Sequence, residues 1–322
     1  MASSQAIQEH GRGRHAATPS DMPARGWKNI LLRVWKNIGE DRVILVAAGV
    51  TFYCLLAIFP AIAALVAIYG FFSDPSSISS VVDKISGVMP GGALDIIRTQ
   101  MNQVASQGPS KLGVAFVIGF LVSLWSANAG IKSIFDALNL VYDEPEKRGL
   151  IRLNLVSLAF TVAAILFILV AIAFIAALPA VASSQLQGTA ALIAQIIRWP
   201  ILFVVVAVGI ALVYRYGPSR AEPQWRWITW GSAFAAVAWI AVSIAFSWYA
   251  ANFGSYNKTY GSLAAIVVFM TWLWLSIAVI LIGAEIDAEM ERQTARDRTT
   301  SGGKPMGRRG AKMADTVGPA QS

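Results

Sequence analysis

The sequence predicts an all-α membrane protein: a bundle of six transmembrane helices with amphipathic helices at its surface. Three observations carry that prediction. Of the 322 residues, 56% are hydrophobic and only 14% charged, where a soluble domain carries about a quarter charged residues. The charges are clustered, so that 43–73, 112–131, 153–197, 227–257 and 259–284 contain no Asp, Glu, Lys or Arg. A spanning helix needs about 20 mostly apolar residues. Lys and Arg divide 21 to 5 between alternate connections. That bias predicts cytoplasmic termini and an even number of crossings.

Residues 1–25, rich in Gly, Arg, Ser, Pro and His, read as a disordered cytoplasmic tail. Residues 26–42 read as an amphipathic interfacial helix. Within WKNILLRVWKNI, Trp27, Ile30, Leu31, Val34, Trp35 and Ile38 share one face, with Lys28, Arg33 and Lys36 mostly elsewhere. Such a face suits the membrane surface, and equally an extension packed on protein. No cleavable signal is expected, because the first apolar run starts at Val43 and is too long for one.

The six spans are predicted at about 43–72, 111–131, 152–178, 192–214, 227–251 and 260–285, in a transmembrane domain of 43–291. The run 153–197 is too long for one crossing, so Pro179 and the polar segment 183–189 mark a turn. In the fourth span only 16 uncharged residues separate Arg198 from Arg215, about 24 Å of helix. That span therefore either includes Arg198 or starts at Arg198-Trp199-Pro200. Between the first two spans, 74–110 reads as an exoplasmic cap of two short amphipathic helices. The second span continues inward with Ile131, Ile134, Phe135, Leu138 and Tyr142 on one side. Residues 292–322 form a second disordered tail, basic and cytoplasmic. Gly231 with Ala235, Ala241 with Ala245 and Ala159 with Ala163 allow close helix approach.

Composition narrows the chemistry. Cys54 is the single cysteine and His10 and His15 the only histidines, both in the N-terminal tail. No HExxH, GxSxG or glycine-rich phosphate loop occurs. The chain is therefore not expected to be an enzyme, to hold a metal or cofactor, or to bind nucleic acid. No acid or histidine is expected within a span to relay protons, which argues against a conventional proton-driven pump. Membrane lipids are the expected partners, and nothing in the residues specifies an oligomer.

Two groups of residues are candidates for function. The first charge at the inner end of each span is Arg42, Lys132, Arg152, Arg215, Arg226 and Glu285. Glu285 alone is an anion, opposed to the helix dipole if the helix stops there. It is expected to face a cation on a neighbouring helix, with Arg215 or Arg226 favoured, as a structural clasp or a cytoplasmic gate. Asp287, Glu289 and Glu291 are expected to be solvated. The second group comprises polar and aromatic residues at unexpected depth: Tyr53, Pro60, Trp125, Asn128, Trp239, Trp272 and Trp274. They are expected either to pack helices or to line an apolar cavity suited to a lipid-like or amphipathic solute. Pro60 removes a helical hydrogen bond and predicts a kink.

Four stretches, AAGVTFYCLLAIFP (47–60), LWSANAGIKSIFDALNLVY (124–142), VYRYGPSR (213–220) and YNKTYGSLAAIVVFMTWLWLSIAVILIGAEI (256–286), resemble the YihY/BrkB family of bacterial inner-membrane proteins. The resemblance covers residues about 43 to 288 and implies a six-helix inner-membrane protein. The family is often labelled a virulence factor and was once labelled ribonuclease BN. The leading expectation is a transporter or translocator of a lipid-like or amphipathic solute. A non-transporting scaffold is the alternative, and a ribonuclease comes last.

Overall fold

A computed structural model of the chain describes residues 11–72, 114–185, 189–252, 262–300 and 303–320. After a 3-10 turn at Pro19–Asp21 come α1 (Ala24–Glu40) and six long helices. They are α2 (Val43–Phe72), α3 (Val114–Val141), α4 (Leu150–Gln185), α5 (Thr189–Tyr216), α6 (Trp225–Asn252) and α7 (Ser262–Gln293), and a short α8 (Lys312–Asp315) follows. These six take the order of the six expected spans. The stretches Ile118–Val141, Leu150–Val170, Trp225–Ala250 and Ile266–Gln293 are each long and apolar enough to cross a bilayer, and the pair α1–α2, bent by 60°, makes a fifth. The apolar stretch Phe203–Tyr216 in α5 is shorter. The expected cap at 74–110 lies outside the described residues.

The helices run through three prolines, and only at Pro179 does this depart from expectation. α5 runs through Arg198 and Pro200, so the helix itself does not begin at Arg198-Trp199-Pro200. α4 continues past Pro179 to Gln185, and α2 carries Pro60 in its interior. In an apolar environment each backbone group needs an internal partner, so helix is kept where water would allow a turn.

α7 is the hub. It packs most extensively on α6, then on α2 and α1, and it also meets α3. One apolar core joins Val43, Ala47 and Val50 of α2, Leu138 and Val141 of α3, and Ile277, Leu281, Ala284 and Ala288 of α7. The α6–α7 crossing is backbone to backbone. A Cβ on Gly231 would lie 2.3 Å from the Gly283 carbonyl oxygen, and one on Gly283 2.8 Å from the Ala235 Cβ. The expected close approach at Gly231 and Ala235 is therefore made against α7. Elsewhere Leu45, Phe52, Leu121, Val122 and Val237 point outward, as a lipid-facing surface requires.

The end of the bundle that carries both termini, here the basal end, is where the tails differ from expectation. Arg14, Ala16 and Met22 are buried, as are Arg298, Ala311, Met313 and Ala314. Arg14 donates to the carbonyls of Gln293 (3.2 Å) and Gly318 (2.8 Å), and Gln293 donates to the Arg12 carbonyl (2.7 Å). The Arg298 guanidinium stacks 4.0 Å from the Trp227 ring. Polar tails order here because the helix ends offer carbonyls and aromatic faces that arginine can satisfy.

The turn after α3 is tied to the loop after α5. The Ser219 amide donates to the Asn139 side chain (2.7 Å), and Asn139 donates to Glu146 (3.0 Å). Arg148 bridges Glu146 (2.7 Å) and the Gly217 carbonyl (2.7 Å). Burial works against ionised Glu146, but the hydrogen bonds from Arg148 and Asn139 outweigh it and hold its carboxyl down to about 2. A depressed carboxyl contributes stability that is complete above its ordinary 4.5 and lost as pH falls toward 2. Amide exchange in 139–149 is therefore expected to accelerate over that window relative to Glu146→Gln, in which the added dependence should vanish. Identical profiles for the two proteins would contradict this.

Candidate functional site

The carboxylates at the end of α7 fall at positions 285, 287, 289 and 291. At about 100° per residue, this spacing puts Glu285 and Glu289 on one face and Asp287 and Glu291 on the opposite face. All four are nonetheless buried, with at most 1% exposure. They can be so only because protein surrounds α7 here, which corrects the expectation that the last three are solvated.

On the first face, α1 supplies the partners. Arg33 bonds Glu289 through Nε and donates through Nη2 to the Gln293 side chain (2.7 Å). Its Nη1 reaches the Pro319 carbonyl (3.3 Å), and Asn37 donates to Glu289 (3.0 Å). The C-terminal segment lies directly over the guanidinium, since a Cβ on Gly318 would sit 2.8 Å from it. These bonds set the rotation of α1. Ile30 and Val34 are buried with Arg33, while Trp35, expected on the same face, is 79% exposed together with Leu31. α1 thus packs on protein with one side and presents apolar residues on another.

On the opposite face, Asp287 accepts from the Gly231 amide of α6 (2.8 Å). Glu291 takes Arg220 (2.6 Å), whose guanidinium also stacks 3.8 Å from the Tyr142 ring. Arg220 and Glu291 are both 1% exposed at the side chain.

Glu285 is different. Its neighbours are Asp41, at the elbow between α1 and α2, and Asn37. Among the described residues no cation pairs with Glu285 and neither of its carboxyl oxygens has a donor in good hydrogen-bonding geometry; the Asn37 amide, which gives one hydrogen to Glu289 (3.0 Å), is the N–H beside it. The expected partners are elsewhere. Arg215 pairs with Glu222 (3.0 Å), bonds the Pro223 carbonyl and stacks on Trp225, and Arg226 bonds Gln224 (2.6 Å) at the surface. Sequence reasoning fails here because the loop 217–224 folds back and satisfies Arg215 locally. Burial raises the Asp41 carboxyl above its ordinary range, although a hydrogen bond with Glu285 acts in the opposite direction. The clasp at the basal end is made instead by Arg33 with Glu289 and Arg220 with Glu291, two cations the sequence did not single out. Their signal was present: Glu289 and Glu291 lie one turn beyond Glu285 and Asp287.

The deep aromatic and polar residues do not converge. Tyr53 and Trp125 face outward, at 51% and 58% exposure, with Lys132 5.2 Å from the Trp125 ring. Asn128 is buried and accepts from Thr161 of α4 (3.2 Å). Trp239 and Trp272 pair across α6 and α7 with centroids 6.3 Å apart, each indole donating to a serine of the other helix, Ser276 (3.0 Å) and Ser243 (3.1 Å). Trp274 donates to the Ile44 carbonyl of α2 (3.0 Å). It alone of the seven borders the groove of about 540 Å³ at the α1–α2 elbow, with Ile38, Gly39, Arg42, Ile44, Leu45 and Ala48. Arg42 turns the elbow with φ of +50°. Among the described residues, no group of three His, Cys, Asp or Glu side chains is placed to hold a metal ion.

The family described as Virulence factor BrkB matches residues 34–306. A ribonuclease-like protein, YfkH of Bacillus subtilis (strain 168), is 29% identical over 275 residues, which are 83% of this chain and 95% of that protein. A UPF0761 membrane protein of Methylibium petroleiphilum is 24% identical over 86% of this chain and 66% of its own length. Another, of Rhodospirillum centenum, is 28% identical over 84% of this chain and 58% of its own length. The chain thus spans about two-thirds or less of these two UPF0761 relatives. No solved structure matches.

Proposed function

The chain belongs to the virulence factor BrkB family of membrane proteins, and on that premise we propose that it translocates a lipid-like or amphipathic solute across the bacterial inner membrane, without acting as an enzyme. Both termini, and with them the basal end, lie in the cytoplasm in this reading, which the 21 to 5 division of basic residues supports. The observation that carries it is the groove at the α1–α2 elbow. Its walls are apolar, it is open rather than enclosed, and Arg42 is among the residues that line it. An acyl chain fits such walls and a polar head fits Arg42. The exposed Trp35 and Leu31 of α1 suit the headgroup region beside it. Arg33 with Glu289 and Arg220 with Glu291 close the cytoplasmic end.

The test is transbilayer movement of a fluorescent phospholipid in vesicles containing the full-length protein. Trp274→Ala and Arg42→Ala are each expected to slow it about three- to tenfold, equivalent to about 0.7–1.4 kcal/mol. Trp239→Ala, away from the groove, should leave the rate within about twofold. Movement no faster than in empty vesicles would remove the reading. RNA cleavage by the purified protein, abolished by a chelator, would favour instead the chemistry that the ribonuclease-like name of YfkH suggests.

A further inference from the structure

Among the described residues, the Glu285 carboxyl is the member of the basal acid layer that no cation or backbone N–H satisfies. It is fully buried, and neither of its oxygens has a donor in good hydrogen-bonding geometry. The polar group it faces at the elbow is another carboxyl, that of Asp41, with Asn37 beside it. Two acceptors held side by side in a poorly hydrated site repel unless a hydrogen lies between them. Charges on the surrounding elements do not relieve this. From α1, Arg33 is taken by Glu289. From the elbow, Glu40 pairs with Lys36 in solvent (3.3 Å). From the end of α3 come Tyr142, stacked on Arg220, and Asp143, bonded to Lys312. On α7 itself, Asp287 and Glu289 add negative charge, and Arg220 is given to Glu291.

We propose that Glu285 and Asp41 form a proton-binding pair, one proton shared between two carboxyl groups, that holds the α1–α2 elbow against α7. The Glu285 O–H donates to the Asp41 carboxylate, and the proton exchanges with solvent through Asp41, which is half-buried while Glu285 is sealed. Loss of the proton leaves two negative charges in contact and drives the elbow from α7. The closed elbow binds one proton more than the open one, so closure is favoured at low pH and lost as pH rises through the titration of the pair. The groove lies on the same elbow, between Gly39 and Ala48, so protonation and access to it are coupled mechanically. This coupling role rests on the translocator reading; the proton site itself stands on the geometry.

The experiment is infrared difference spectroscopy of the full-length protein in lipid nanodiscs, titrated from about pH 5 to about pH 9, in sodium and in potassium buffers. A protonated carboxyl C=O band that disappears with rising pH is expected in the wild type, equally in both salts. It should be lost in Glu285→Gln and lost or shifted in Asp41→Asn, the latter a half-exposed position where folding is not at stake. At a pH above the titration, Glu285→Gln should protect residues 36–42 from amide exchange more than the wild type does. A band absent throughout, or unchanged in both variants, would overturn the proposal. A band abolished by sodium but not by potassium would overturn it in favour of a sodium site. Phospholipid movement in the same preparations separates the two readings. Movement independent of pH in wild type and variants removes the coupling and leaves translocation standing, whereas the titrating band without any movement removes translocation and leaves the proton site.

Discussion

Arg33→Ala is expected to be the most damaging single substitution at the basal end, costing about 3–5 kcal/mol of stability. The guanidinium is 3% exposed and its partner Glu289 fully buried, so truncation leaves a carboxylate with only Asn37 and the more distant Arg292 (3.4 Å) to oppose it. Gln293 and the Pro319 carbonyl lose their donor in the same step. The cost therefore reflects an abandoned charge more than the worth of the pair. A double replacement, Arg33→Met with Glu289→Met, should recover most of it, because two apolar side chains of similar length need no partner. Thermal unfolding in detergent distinguishes the cases. Equal loss in the single and double variants would mean that packing of α1, not the buried charge, is what Arg33 supplies.

Gly231→Ala should come next, with a loss of about 1–3 kcal/mol from overpacking. The added methyl would stand 2.3 Å from the Gly283 carbonyl oxygen and 2.4 Å from the Asp287 carboxyl carbon. Neither can swing aside, since one is helix backbone and the other is fixed by the Gly231 amide (2.8 Å). α6 and α7 must then separate, and Tyr214, whose hydroxyl bonds the Ile280 carbonyl, is displaced with them. Gly209→Ala in α5 is the control. A Cβ there would meet nothing within 4 Å, so alanine should be neutral or stabilising by up to about 1 kcal/mol. Similar unfolding temperatures for the two variants would contradict the close crossing.

The six helices, their order and the continuation of α3 toward Tyr142 at the basal end could be read from the chain, because hydropathy and helical period are local properties that a bilayer enforces along each segment. The face of α3 is an example, with Phe135, Leu138 and Tyr142 all fully buried. The order of the tails escapes such a reading for the same reason. Gly, Arg and Ser make no core of their own, and their order comes from helix ends contributed by distant segments.

The partners of the α7 acids were decided only in three dimensions. Spacing puts Glu285 with Glu289 and Asp287 with Glu291, but nothing local says that α1 would turn Arg33 inward and Trp35 outward. Nor does it say that the loop at 217–224 would engage Arg215 and direct Arg220 to Glu291. Those outcomes depend on the rotation of each helix about its axis and on its register against α7, to which hydropathy is nearly blind when a helix is apolar all round. Composition and periodicity suffice for a six-helix membrane bundle with acids at the end of its last helix. The tertiary structure alone decided that three of those acids are satisfied by arginine or backbone N–H, and that Glu285 is left facing Asp41.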